Sequence, residues 1–296
     1  MRHFLKREYV TGAFILVVLL FLFFGGFDIA RGVFGIIYLD EEDMMTLLYG
    51  GASLIALIWY RISKANYNRL TNTILDTYDP DEKLRLIDHA IKKTCHDPLR
   101  KTEKARELAC AAKVGFLNLA ANAYISKEDY DSALNRLAEA RTLFAYLGED
   151  QAVSNTLGVD EQCILTESVC LSRLGRVVEA ERLVTPFMNR LGVMDDLSVA
   201  LIMTARFEQA VSVNDVQTAR MVVTYINPIY ARLEKEYGQD IRTDYFLMDG
   251  TANLLEGFYE EGVQKLNYVI NNTSNYSELQ RARKLLSYSY SVSAAS

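Results

Sequence analysis

The chain of 296 residues is half hydrophobic and carries 32 Lys and Arg against 38 Asp and Glu, a formal net charge of −6. That length can bury at least one sizeable core. Its cations are interspersed with acids, which leaves no clustered basic surface for phosphate and excludes nucleic acid as a partner.

From Tyr9 to Phe27 there is no charge, and the run from Ala13 to Phe24 is apolar on every face. Such a segment has the length needed to cross a hydrocarbon core of roughly 30 Å. It is too long for the h-region of a secretory leader and lacks a clean small-x-small cleavage site. A second uncharged stretch, Met44 to Tyr60, contains Gly50, Gly51, Ala52, Ser53 and Ala56, small residues that let two helix backbones approach inside lipid. Residues 1–60 are therefore expected to form a transmembrane hairpin with spans near 9–27 and 44–60 and a short external loop, 28–43.

Arg2, Lys6 and Arg7 precede the first span and Arg61, Lys64 and Arg69 follow the second, whereas the loop is acidic at Asp28 and at Asp40 to Asp43. Positive flanks stay in the cytoplasm. The expectation is an integral membrane protein, in the plasma membrane, with its N-terminus and everything after residue 60 cytoplasmic. Asn271, Asn272 and Asn275 head glycosylation-type triplets that would require the opposite side. The charge asymmetry outweighs them, because Asn, Ser and Thr clustered at a turn produce such triplets by composition.

Residues 61–79 read as a connector, and the remainder is helical almost throughout. Prolines stand only at 80, 98, 186 and 228, and no alternating strand pattern or hairpin dipeptide appears. Asp79-Pro80-Asp81-Glu82 and Asp97-Pro98 have the form of helix starts, and Asn275 with Glu278 has the form of a capping box. Cys95, Cys110, Cys163 and Cys170 lie inside predicted helices, where Cys163 and Cys170 share a face as small core residues. Neither they nor the scattered His3, His89 and His96 have zinc-type spacing. No metal or cofactor is expected.

Between Asn122 and Ala140 the helical pattern stops at Lys127-Glu128-Asp129 and resumes with Tyr130, Ala133 and Leu137. This stretch resembles the tetratricopeptide repeat at the hairpin joining its two antiparallel helices. Weaker copies surround Leu174-Gly175 with Ala180, Asn214-Asp215 with Ala219, and Gly257 with Gly262, so that the small residue recurs at Ala133, Ala180, Ala219 and Gly262 at intervals of about forty. The resemblance covers Val114 to Ile270. It implies an all-α chain in which residues 80–296 form an α-solenoid of helix pairs, with Asp81 to Ala112 and Ser277 to Tyr290 as its ends.

The resemblance further implies a concave groove, lined by the first helix of each pair, that takes a protein or peptide. Asn118 and Asn122, one turn apart, are expected to face it, with Thr204 and Glu208 two repeats on. Asparagine suits recognition of a peptide backbone. Leu165, Val169, Leu247 and Thr251 stand where a terminal-carboxylate clamp would need cations, so no such clamp is expected.

No glycine-rich phosphate loop, nucleophile elbow or metalloprotease motif is present, and no histidine pairs with a nucleophile. The expectation is no catalytic residue and no small-molecule substrate, but a membrane-anchored scaffold that recruits a cytoplasmic protein or peptide to the lipid bilayer. Two other roles stay open: an accessory subunit acting through its transmembrane hairpin, and an enzyme of unrecognised type.

Overall fold

Apolar residues at helical spacing become helix wherever the chain is described. The computed structural model describes residues 69–95, 103–147, 156–238 and 240–293, within the unit Arg69–Ser296. Helical residues 69–76 lead into α1 (Pro80–Cys95), followed by α2 (Glu103–Ser126), α3 (Tyr130–Arg141), α4 (Val159–Arg173) and α5 (Val177–Met188). Then come α6 (Asp196–Ser212), α7 (Val216–Tyr237), α8 (Asp240–Glu256), α9 (Tyr259–Asn272) and α10 (Tyr276–Ser293). Two short 3-10 turns, Phe144–Tyr146 and Leu191–Val193, complete the elements, and no strand occurs among the described residues. The all-helical class is as the sequence indicates.

Four hairpins join α2 to α3, α4 to α5, α6 to α7 and α8 to α9 with one and the same turn. Each places a residue at positive φ two positions before the second helix: Glu128 (59°), Gly175 (75°), Asn214 (57°) and Gly257 (85°). In each, the amide of the next residue reaches back five residues, Asp129 to Tyr124, Arg176 to Leu171, Asp215 to Ala210 and Phe258 to Asn253, at 2.8–3.0 Å. These are Schellman closures, which satisfy carbonyls that a helix end leaves open. Asp129 and Asp215 then cap α3 and α7 by accepting from the amides of Ser132 (3.1 Å) and Thr218 (3.0 Å).

The small residues explain why the paired helices sit close. Ala133, Ala180 and Ala219 are fully buried, and Gly262 is buried against Gly250 of α8. The core is serial, not central. Ile87 with Phe116 and Ala120 passes to Leu117, Ala133 and Leu137, then to Leu165, Val184, Phe187 and Ile202. It continues through Phe207, Ala219, Ile226 and Met248 and ends on Leu247, Leu266, Val269 and Ala282. Each cluster is filled by neighbours in sequence, so α2 packs on α4, α4 on α6, and α10 on α8 and α9. In addition α10 reaches back to α2.

Several expectations are corrected. The chain is not supported as an integral membrane protein, because among the described residues no helix is long and apolar enough to cross a membrane. Both stretches that carried that expectation, 9–27 and 44–60, lie outside the described residues, as do the loop 28–43 and Pro98. The orientation argued from their flanks loses its support with them. The expected break between Ala112 and Val114 is absent. With no proline or capping residue there, α2 runs unbroken for 24 residues. Pro186 and Pro228 lie inside α5 and α7, where each removes one backbone donor. The last helix extends beyond Ser277–Tyr290 at both ends.

Candidate functional site

Asn118 and Asn122 on α2, Gln162 and Thr166 on α4, and Thr204 on α6 are brought to one cleft of about 780 Å³. The spacing produces this: residues four apart on a helix lie one above the other, so α2 and α4 each offer two polar side chains to the same side and α6 adds Thr204. Leu119, Ala123, Leu165, Val169 and Leu201 supply the apolar part of the lining. Residues 75–78 with Lys83 and residues 274–277 also line the cleft.

The polar groups of the lining differ in burial and in partners. The Oδ1 atom of Asn118 is buried and has no hydrogen-bond partner. Such an atom costs about 1–3 kcal/mol, a cost a binding site offsets when a ligand donor arrives. Asn122 is exposed. Gln162 donates through Nε2 to the Leu157 carbonyl at 3.2 Å. Lys83 is half-buried, its Nζ lies 3.5 Å from the Leu75 carbonyl, and burial lowers its pKa from the usual value.

Glu208 departs from expectation. It does not line this cleft, and its side chain is only 4 % exposed. It sits on a neighbouring cavity of about 460 Å³, which shares Ile125, Ser126, Arg173 and Ser277 with the first. Its carboxylate accepts from Arg173 Nε at 3.2 Å, from Arg173 Nη2 at 3.4 Å, and from Arg281 Nη1. Burial alone would push its pKa up, but the guanidinium groups of Arg281 and Arg173 outweigh that and hold it at about 2. Glu208 is therefore charged at neutral pH and ties α4, α6 and α10 together.

Beside it two other carboxyl groups are pushed the other way. Asp244, which accepts from the Tyr230 hydroxyl, and Glu278, which accepts from Thr243 Oγ1 at 2.6 Å, Thr273 Oγ1 at 2.7 Å and Asn275 Nδ2 at 3.0 Å, are both raised chiefly by burial. Asn275 also caps α10 by accepting from the Ser277 amide at 3.0 Å, but the expected capping box does not form, since the Asn275 amide donates to Thr273 Oγ1 and Glu278 accepts from the Asn275 side chain instead. Burial pushes the thiols of Cys163 and Cys170 to about 12, which leaves them without thiolate at neutral pH. Among the described residues no group of three or more His, Cys, Asp and Glu could hold a metal ion.

Of the four residues singled out in the sequence, the structure brings Asn118, Asn122 and Thr204 together and places Glu208 behind them. Leu247 and Thr251 are buried, Thr251 donating to the Leu247 carbonyl at 2.7 Å, while Leu165 and Val169 form cleft wall. Sequence reasoning missed Gln162 and Thr166. Their four-residue spacing matches that of Asn118 and Asn122, but alignment by the hairpin turn sets Leu165 and Val169 opposite those two, so the repeat pattern pointed away from Gln162 and Thr166. No protein-family model matches this chain, and no curated protein or solved structure matches it either.

Proposed function

We propose that residues 80–296 form a tetratricopeptide-like solenoid whose inner face binds a segment of a partner protein, so that the chain works as an interaction scaffold and not as an enzyme. Two features support the solenoid: the fourfold recurrence of one Schellman turn, and the small residue that follows it in each hairpin. A single observation carries the binding role. Five amide and hydroxyl side chains from α2, α4 and α6 converge on one cleft with apolar lining between them, and the Asn118 carbonyl oxygen stands there without a partner.

An extended peptide suits this lining, since its amide groups repeat at intervals that side chains from successive helices can meet and its side chains fill the space over Leu165 and Val169. The test is selection of displayed random peptides on the full-length protein, repeated on the Asn118→Ala/Asn122→Ala variant. The expected result is a recurrent motif whose binding is lost in the double variant. Peptides that bind both proteins equally would overturn the assignment of the cleft.

A further inference from the structure

The inner face is not open along its length. α10 crosses to the far end of the array through contacts between residues remote in sequence. Lys284 on α10 donates to Glu128, in the α2–α3 turn, at 2.6 Å. Tyr276 meets Tyr78, just before α1, edge to face with ring centroids 5.2 Å apart. The Tyr78–Tyr276 contact lies on the border of the cleft and the Lys284–Glu128 pair on the border of the second cavity. Both contacts differ in kind from the apolar packing that holds α10 to α8 and α9 through Ala282 and Leu286.

Glu128 is conspicuous for a second reason. In the four equivalent turns the residue at positive φ is Gly, Asn, Gly and Glu. Only the first two types adopt that conformation at little cost, since a longer side chain crowds the backbone there. The single turn that departs from the rule is the one whose side chain meets α10. Local conformation gains nothing from a glutamate, and the ion pair gives it a purpose.

We propose that Glu128–Lys284 and Tyr78–Tyr276 form a clasp that closes the inner face and opens to admit the partner segment. This rests on the cleft being the binding surface. The ion pair is well exposed, with side chains 55 % and 68 % accessible, and such pairs are weak and screened by salt. The clasp therefore opens without the array unfolding, which is what a gate requires.

The clasp is tested without any ligand. Ser126→Cys in the full-length chain places a thiol where the two cavities meet, and its reaction with N-ethylmaleimide is compared with that of a polymer-bearing maleimide, the parent chain supplying the background. With the clasp intact the bulky reagent is the slower. Glu128→Gly and Lys284→Glu each raise the bulky-to-small rate ratio by about two- to fivefold, the range an exposed ion pair can supply. Glu128→Lys combined with Lys284→Glu restores the parent ratio.

Glu128→Gly does this without lowering the melting temperature, because glycine accepts the turn conformation. A ratio unmoved by both single variants would overturn the proposal. So would modification of the buried Cys163 and Cys170 in step with the reporter, which would mean that the array itself opens. Failure of peptide selection, by contrast, would remove the binding reading and leave the clasp measurement standing.

Discussion

Replacing Glu208 by Gln keeps the shape of the side chain and removes its charge. The carboxylate is buried and flanked by Arg173 and Arg281, whose side chains are each 21 % exposed. In the variant both guanidinium groups stay in place, and one carboxylate oxygen becomes an NH₂ that cannot accept from them. Removing one member of a buried ion pair costs about 3–5 kcal/mol, because the remaining charge is left uncompensated. Here the partial exposure of the two arginines to the adjacent cavity lets water meet part of that demand, which places the expected loss near 3 kcal/mol.

For a unit of this size such a loss lowers the melting temperature by roughly 6–12 °C. Urea unfolding of the full-length protein, followed by far-UV circular dichroism, measures it. A companion variant, Arg173→Met/Glu208→Leu/Arg281→Met, removes all three charges and is expected to lose less than Glu208→Gln. A loss below about 1 kcal/mol for Glu208→Gln would refute the reasoning. It would mean that the arginines are hydrated and that the carboxylate does not tie α10 to α6.

Gly262→Ala would place a methyl 2.8 Å from Leu254 Cδ2 and 3.1 Å from the Gly250 carbonyl. The expected destabilisation is about 1–3 kcal/mol by overpacking, measured by the same unfolding curves and absent in a Gly115→Ala control, where an added methyl meets nothing within 4 Å. The acid limb of stability follows from Glu208. Its folded pKa, about 2, lies below its ordinary value, 4.5, so its contribution is present above 4.5 and lost as pH falls towards 2. Asp244 and Glu278, with raised values, have the opposite sign: they cost stability as pH rises through their ordinary values towards their folded ones. Denaturant midpoints from pH 2 to 5 should therefore fall less steeply at the acid end in Glu208→Gln than in the parent. Equal slopes would contradict the assignment.

The hairpins were legible because their determinants are local. Lys127-Glu128-Asp129 breaks the apolar period and Ala133 follows at the spacing that close helix packing needs, so the turn and its contact residue could both be read without knowledge of any partner helix. The same reasoning located Asn118, Asn122 and Thr204, since position on a helix face is a property of spacing. Glu208 shows where spacing stops being informative. It lies four residues after Thr204 on α6, yet Arg281 arrives from 73 residues away and buries it. No periodicity announces that closure, because it depends on how far successive helix pairs rotate. The clasp escaped for the same reason, its two halves being 156 residues apart. The break expected near Val114 failed differently. The residues around Lys113 and Gly115 offer neither a cap nor a proline to end the helix.

A comparison of two double variants tests whether the cleft, and not another face, holds the partner segment. A selected peptide, labelled with a fluorophore, is titrated with the parent, with Asn118→Ala/Asn122→Ala, and with Met221→Ser/Tyr225→Ser on the exposed face of α7, where those side chains are 57 % and 48 % accessible. Two lost amide hydrogen bonds, at about 0.5–1.5 kcal/mol each, predict a Kd weakened by roughly five- to a hundredfold for the cleft variant, with the α7 variant binding as the parent does. Unchanged binding by the cleft variant, together with loss in the α7 variant, would contradict the account.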